Sequence, residues 1–368
     1  MKKILLVFGT RPEAIKMSPL IQTLRQRPEL AQPVVCVTGQ HRQLLAPVLD
    51  VFHITPDHDL AVGKSGQTLG DITRGVMDRL PPVLEAERPD IVLVHGDTTS
   101  TFAAALCSFY ARIPVGHVEA GLRTYDTTAP WPEEFNRHSV DVISRWCFAP
   151  TETCRQNLLR EGKPDSAVFV TGNTVIDALK TTVRADYRHP ELDWAAGSRL
   201  LLVTAHRREN LGEPLEQMFR ALRRIVDDHP DVKAICPLHP NPRVRRPAEA
   251  ILESCERIHV IPPLGVADFH NFLARAYLVL TDSGGIQEEA PALGIPVLVM
   301  RRATERPEGV AAGTLRLVGT EEEAIYRACR TLLADPAAYG RMAGATHPYG
   351  DGTASAKIAD ILLQHDRQ

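Results

Sequence analysis

No G-x-G-x-x-G follows a candidate strand in this 368-residue chain, so the fingerprint that seats a nicotinamide dinucleotide is missing. Gly63-Lys64-Ser65 echoes the end of a P-loop, but His58 stands where the first glycine of that loop is required, and the segment reads as an ordinary loop. No apolar run exceeds strand length, which excludes a helical membrane span. The N-terminal stretch Met1–Phe8 carries only about five consecutive apolar residues, too few for a signal-peptide core. It reads as a buried first strand. The seven cysteines are odd in number, scattered, and form no C-x-x-C. That excludes a disulfide framework and a zinc ribbon, and suggests reduced, buried thiols in a cytoplasmic protein. Charge of one sign is also scarce: the formal net charge of −3 argues against nucleic acid or an anionic membrane as partner.

What the chain does have is a repeated pattern. Short runs rich in Val, Ile and Leu alternate with longer amphipathic segments. Six candidate strands lie in the first half: Ile4–Phe8, Val34–Thr38, Ile91–His95, Val115–Val118, Cys147–Ala149 and Val168–Thr171. Six follow: Leu200–Thr204, Ala234–Pro237, His259–Ile261, Leu278–Thr281, Val297–Met300 and Leu315–Val318. The runs are continuous rather than alternating, as expected of parallel strands buried on both faces. The expected fold class is α/β, with two Rossmann-like doubly wound domains facing a central cleft. The first would span 1–180 and carry acidic catalytic residues; 181–198 would be a linker; 199–352 would form the second domain. Residues 353–368 read as a C-terminal helix packing back on the first domain.

In such sheets ligands collect at the carboxyl ends of the strands, so the residues just beyond each run deserve the closest reading. Leu278–Thr281 runs into Asp282-Ser283-Gly284-Gly285, and a helix-forming segment follows. Two glycines allow close backbone approach, and a helix start offers unpaired N–H groups to an anion. A phosphate site in the second half, with none of the dinucleotide type in the first, points to a nucleotide-sugar enzyme rather than a dehydrogenase. Gly9-Thr10-Arg11-Pro12-Glu13 ends the first strand. Thr10 and Glu13 have capping-box spacing, and Arg11 and Lys16 are cations near that helix start. Asp97 lies in Val94–Ser100, Glu119 in Gly116–Arg123, and Glu133 in Trp131–Arg137. Three carboxylates on one wall would crowd, raise one another's pKa values and support proton transfer. His206 and Arg207 follow one strand of the second half, and His239 the next. Two histidines and a carboxylate raise the question of zinc, but the spacing matches no compact metal motif. Neither a metal nor a cofactor is expected.

Taken in order, Gly9–Glu13, His95–Thr98, Val118–Arg123, Trp131–Glu134, His206–Asn210, Asp282–Glu289 and Glu305–Glu308 resemble the non-hydrolysing UDP-N-acetylglucosamine 2-epimerases along nearly the full chain. The resemblance implies a GT-B-like fold, a cytoplasmic homodimer, and interconversion of UDP-N-acetylglucosamine and UDP-N-acetylmannosamine for surface-polysaccharide synthesis. It makes Asp97, Glu119 and Glu133 catalytic, with His206 beside them. It makes Arg11, Lys16, Arg207, His239, Ser283, Gly284, Gly285, Glu289 and Arg306 contacts to substrate or UDP, and Phe269 a neighbour of the uracil. Some bacterial members bind a second UDP-N-acetylglucosamine as an activator. The matching positions here are Gln40, His41, Gln43 and Gln67, while the arginine of that pattern falls at Gly66.

The chemistry suits the residues. The C2 hydrogen of the sugar is not adjacent to a carbonyl, so a simple base cannot remove it to a stabilised anion. Without a nicotinamide, the route implied is anti elimination of UDP to a 2-acetamidoglucal, followed by re-addition with protonation on the opposite face. A hydrolysing epimerase that releases UDP and N-acetylmannosamine is the nearest alternative. A GT-B glycosyltransferase and a non-catalytic nucleotide-sugar sensor are more distant ones.

Overall fold

The computed structural model describes residues 1–40, 42–64 and 66–364. The chain divides into two compact units, Met1–Thr181 with Tyr349–Gln368, and Thr182–Pro348. Each is a wholly parallel, doubly wound α/β unit.

The first unit holds a seven-stranded sheet built from β1 (Lys2–Phe8), β2 (Ala31–Val37), β3 (His58–Asp59), β4 (Ile91–His95), β5 (Val115–Val118), β6 (Trp146–Ala149) and β7 (Val168–Val170). Their order is β3-β2-β1-β4-β5-β6-β7, so the winding reverses between β1 and β4. Ile4, Leu5, Leu6 and Val7 in β1 and Ile91 to Val94 in β4 are buried on both faces, which is why these runs are continuous in sequence. The helix Thr99–Tyr110 lies over this sheet with Ala103, Ala104 and Ala105 fully buried; small side chains let its backbone come close. Thr98 caps it, its hydroxyl accepting from the N–H of Thr101 at 3.1 Å. The C-terminal helix Ala354–Gln364 packs against the helix Arg11–Arg25 within this unit. Its first turn is capped by Asp177, whose carboxylate accepts from the N–H groups of Ala354 and Ser355 at 3.2 and 2.8 Å.

The second unit holds six strands, β8 (Arg199–Thr204), β9 (Val232–Pro237), β10 (Ile258–Ile261), β11 (Leu278–Thr281), β12 (Val297–Val299) and β13 (Leu315–Leu317). The order is β10-β9-β8-β11-β12-β13, and the winding reverses between β8 and β11. Helix Glu213–Asp228 shows why the alternating segments fold as they do. Leu215, Met218, Phe219, Leu222, Ile225 and Val226 recur at helical spacing and are all buried, while Glu213, Arg220, Arg223 and Arg224 occupy the wet face. Burial of Phe219 alone stabilises by roughly 3 kcal/mol. Residues 182–198 pack on this unit: Tyr187 donates its hydroxyl to Asp268 at 2.6 Å, and the Trp194 ring stacks 3.5 Å from that of His259.

All seven cysteines are free and buried. Burial pushes Cys36 up to about 12, with help from Asp59 and Asp57, and Cys107 up to about 11, so neither is a thiolate near neutrality. Among the described residues no helix is long and apolar enough to cross a membrane.

Candidate active site

Both sheets place their chemistry beside the strand pair where winding reverses, and both brace that place with a buried carboxylate. In the first unit this is Glu13. One oxygen accepts from the N–H groups of Gly9 and Thr10, each at 2.7 Å. The other accepts from the hydroxyls of Thr98 and Thr101, at 2.5 and 2.9 Å. The expected capping contact is therefore present, and the same side chain also ties the loop after β1 to the loop after β4. Gly9 has no room for more than hydrogen: a Cβ there would run into Thr38 Oγ1.

Glu119 follows β5 in a left-handed backbone conformation, φ 69°, which is uncommon for a residue with a side chain. Its N–H and that of Ala120 both donate to the Phe148 carbonyl at 3.1 Å, a local bulge that turns the side chain inward. The residue is buried, 8% exposed. Lys16 Nζ donates to both of its oxygens at 2.7 and 2.6 Å, and Asn173 Nδ2 donates to Oε1 at 3.3 Å. His95 Nε2 lies 2.9 Å from Oε2, off the direction of a good hydrogen bond.

Asp97 sits at the end of the neighbouring strand. It accepts from Arg137 Nη2 at 2.7 Å, and its carbonyl accepts from Asn136 Nδ2 at 2.9 Å. Both partners lie on helix Glu133–Ile143. Glu133 opens that helix one turn before Arg137, on the same face. The expectation that three carboxylates crowd one another is met differently: Glu119 faces an ammonium and Asp97 a guanidinium. Arg11 opens the helix Arg11–Arg25, in the loop that Glu13 braces.

Gln40 Oε1 accepts from the Ser100 hydroxyl at 2.7 Å, and Gln67 Nε2 donates to the Gln40 carbonyl at 3.5 Å, so these two positions are brought together. Gln43 is exposed. His41 lies outside the described residues. Gly66, at φ 70°, has open space around it.

In the second unit the bracing carboxylate is Asp282, fully buried at the end of β11. It accepts from the N–H of His206 at 3.0 Å, the N–H of Arg207 at 2.9 Å and Asn210 Nδ2 at 3.0 Å, which locks the loop after β8. The His206 ring stays half exposed, with Nδ1 3.4 Å from Asp282. Arg207 Nε donates to the Asp282 carbonyl at 3.0 Å, and Arg207 Nη2 to Glu305 at 3.2 Å. Glu305 also accepts from Arg301 Nη1 at 2.8 Å and lies 3.0 Å from Arg306 Nη1. Burial would raise its pKa, but the charges of Arg306 and Arg301 outweigh that and hold it at about 2. Arg306 is pinned from its other side by Glu288, at 2.8 Å.

Ser283, Gly284 and Gly285 lead from β11 into the short helix Ile286–Ala292, and Ser283 N–H donates to Thr281 Oγ1 at 2.9 Å. A Cβ on Gly284 would lie 2.8 Å from Glu305 Oε1, so this loop and the arginine–glutamate lattice fit only because the residue is glycine. Glu289 Oε2 is 3.8 Å from His270 Nε2, and His270 Nδ1 pairs with Thr182 Oγ1 at 2.6 Å. Phe269, on the helix Val266–Leu273, is half-buried against the apolar cluster around Phe272. His239 is exposed, its Nδ1 accepting from the N–H of Asn241 at 3.1 Å. Among the described residues no group of three or more His, Cys, Asp and Glu side chains is placed to hold a metal ion.

His95, Asp282 and Glu305 lie inside the motifs that carry the resemblance, but their contacts are not legible there: His95 and Asn173 beside Glu119, Arg137 on Asp97, Asp282 and Glu305 as hubs. A buried acid in an otherwise apolar or glycine-rich strand end was the only visible hint.

The family model for UDP-N-acetylglucosamine 2-epimerase matches residues 22–363. A UDP-N-acetylglucosamine 2-epimerase of Bacillus subtilis is 55% identical over 363 residues, which cover 99% of this chain and 95% of the relative. A solved structure from Listeria monocytogenes superposes with a TM-score of 0.94 at 52% identity, over 99% of this chain and 96% of the other. The UDP-GlcNAc 2-epimerase of Neisseria meningitidis, solved bound to UDP-GlcNAc, gives a TM-score of 0.90 at 47% identity, covering 99% of this chain and all of the other. This chain belongs to the UDP-N-acetylglucosamine 2-epimerase family.

Proposed function

We propose that this chain is a non-hydrolysing epimerase that interconverts UDP-N-acetylglucosamine and UDP-N-acetylmannosamine by anti elimination of UDP and re-addition across a 2-acetamidoglucal. The carrying observation is Glu119: a carboxylate turned inward by a left-handed backbone, buried, and bridged on both oxygens by the Lys16 ammonium. A buried carboxylate flanked by an ammonium, an imidazole and an amide is suited to take and return a proton at a carbon with little acidity. Asp97, Glu133 and His206 share the acid and base work with it. In the second unit, the Ser283–Gly285 turn and Arg306 take the pyrophosphate, with Arg207, His239 and Glu289 as further contacts and Phe269 beside the uracil. Arg11 and Lys16 are the cations that the first unit supplies. Cationic groups around the departing pyrophosphate would stabilise the charge that develops as the C1–O bond breaks. The bound sugar nucleotide of the Neisseria relative supports the same substrate here. The reading carries with it a cytoplasmic homodimer feeding surface-polymer synthesis.

Proton NMR of the purified protein with UDP-N-acetylglucosamine in deuterium oxide tests this. The expected result is UDP-N-acetylmannosamine carrying deuterium at C2, with little free UDP. Steady release of UDP and N-acetylmannosamine would assign the hydrolysing reaction instead. Unchanged substrate would remove the epimerase reading and leave transfer to an acceptor.

A further inference from the structure

Beneath Asp97 and Glu119 lies a buried ionic chain that the proposed reaction does not use. His117, in β5, and Asp141, on helix Glu133–Ile143, are both almost inaccessible. His117 Nδ1 is 2.6 Å from Asp141 Oδ1, and Nε2 is 2.7 Å from the carbonyl of Gly96. Asp141 Oδ2 accepts from the N–H of Gly121 at 3.2 Å and lies 2.8 Å from Arg123 Nη2. Arg123 in turn donates to both oxygens of Glu161, at 2.7 and 2.6 Å. Burial would raise the Asp141 carboxyl, but His117 and Arg123 hold it below the usual carboxylate range.

Two features make this more than a salt bridge in a core. Both ring nitrogens of His117 are engaged at once, one by a carboxylate and one by a backbone carbonyl. The ring is held at both ends, fixed in orientation. Its outer end also grips a backbone carbonyl one residue before Asp97, at Gly96 in the left-handed region with φ 68°. Asp141's other oxygen grips Gly121, two residues after Glu119, where φ is 84° and a Cβ would collide with the Cys154 carbonyl. One carboxylate therefore sets two loops at once, one carrying Asp97 and one carrying Glu119.

We propose that His117 is a positioning residue: through the Gly96 carbonyl it fixes the loop of Asp97 beside the loop of Glu119, with Asp141 holding the ring in orientation. The inference rests on the epimerase reading of those two carboxylates. Neither His117 nor Asp141 reaches substrate; they act through the Gly96 carbonyl and the Gly121 N–H. Misplacing a reacting group by about 1 Å can cost about 100-fold in rate, so a clamp of this kind has a kinetic signature.

The test uses two substitutions of His117 that keep different halves of the ring. Asparagine places its amide near the position of Nδ1, keeping Asp141 and abandoning Gly96. Glutamine places its amide near Nε2, keeping Gly96 and abandoning Asp141. Positioning of Asp97 predicts that His117→Asn loses about 100-fold in kcat, with KM for UDP-N-acetylglucosamine within about threefold, whereas His117→Gln keeps kcat within about tenfold. A role confined to satisfying buried Asp141 predicts the reverse order, and that order would overturn the proposal. So would equal losses that track the fraction of folded protein. Crystal structures of both full-length variants add a readout independent of turnover: a displaced Gly96–Asp97 segment in His117→Asn alone is expected, and an unmoved segment would also overturn it. Should the wild type fail to epimerise, the reading of the reaction falls, and the crystal structures still decide the clamp.

Discussion

Lys16 Nζ lies 2.7 and 2.6 Å from the two oxygens of Glu119, an ammonium shared evenly across a carboxylate that is itself buried. The lysine side chain is 12% exposed and the glutamate side chain 6%, so neither charge has water to fall back on. Removing one partner takes a buried countercharge from the other. Lys16→Met is expected to destabilise the first unit by about 3 kcal/mol and to abolish epimerisation. Adding Glu119→Gln should recover most of that stability and none of the activity. Urea unfolding of the two single variants and the double variant closes the cycle. If the destabilisation of the double variant equals the sum of the two single ones, the pair is not coupled and its role in holding Glu119 is lost.

Glu119 also carries a backbone cost. An L-residue in the left-handed region is disfavoured by about 1–2 kcal/mol, a penalty that glycine escapes. Glu119→Gly should therefore be more stable than Glu119→Ala by about 1 kcal/mol, against the usual trend for these two residues. Both variants should be inactive. Equal thermal midpoints for the pair would mean that the strain is absent, and that the inward turn of this side chain needs no compensation.

The architecture was legible because parallel strands buried on both faces leave continuous apolar runs. Leu200–Thr204 and Leu278–Thr281 were found that way, and they pair in register as β8 and β11. The strand β3 was not found. It is two residues long, His58 and Asp59, and pairs only with Cys36 and Val37, so it has no apolar run to display. The same contrast holds at the site. Strand-end positions such as Asp97, Glu119 and Ser283 follow from topology. Their partners do not: Lys16 and Glu119 are 103 residues apart, and His117 meets Asp141 across 24. Asp282 opens the turn read as a phosphate site, yet its work is on backbone N–H groups of His206 and Arg207, which no side-chain pattern encodes.

Gly284 offers a test of the second unit that leaves its backbone unstrained. A Cβ there would meet Glu305 Oε1 at 2.8 Å and Arg306 Nη1 at 3.4 Å. A free glutamate could swing aside, but this one is held by Arg207, Arg301 and Arg306 together. Gly284→Ala is thus expected to push the lattice out of register and weaken UDP binding by at least about tenfold, or 1.4 kcal/mol, by isothermal titration. Unchanged UDP affinity would separate this lattice from the nucleotide site.

Glu305 itself makes a prediction in pH. Its carboxyl falls from the ordinary value of 4.5 to about 2 in the folded chain. A depressed carboxyl stabilises the fold where it is ionised in both states, and that contribution fades as pH drops toward the folded value. The stabilisation should be complete above about pH 4.5 and gone near pH 2, a span worth about 3 kcal/mol for this largely buried group. Glu305→Gln has no proton to gain in that window. The stability gap between wild type and Glu305→Gln, measured by urea unfolding, should therefore narrow as pH falls from 5 to 2.5. A gap that stays constant over the window would show that the three arginines around Glu305 do not act through its charge.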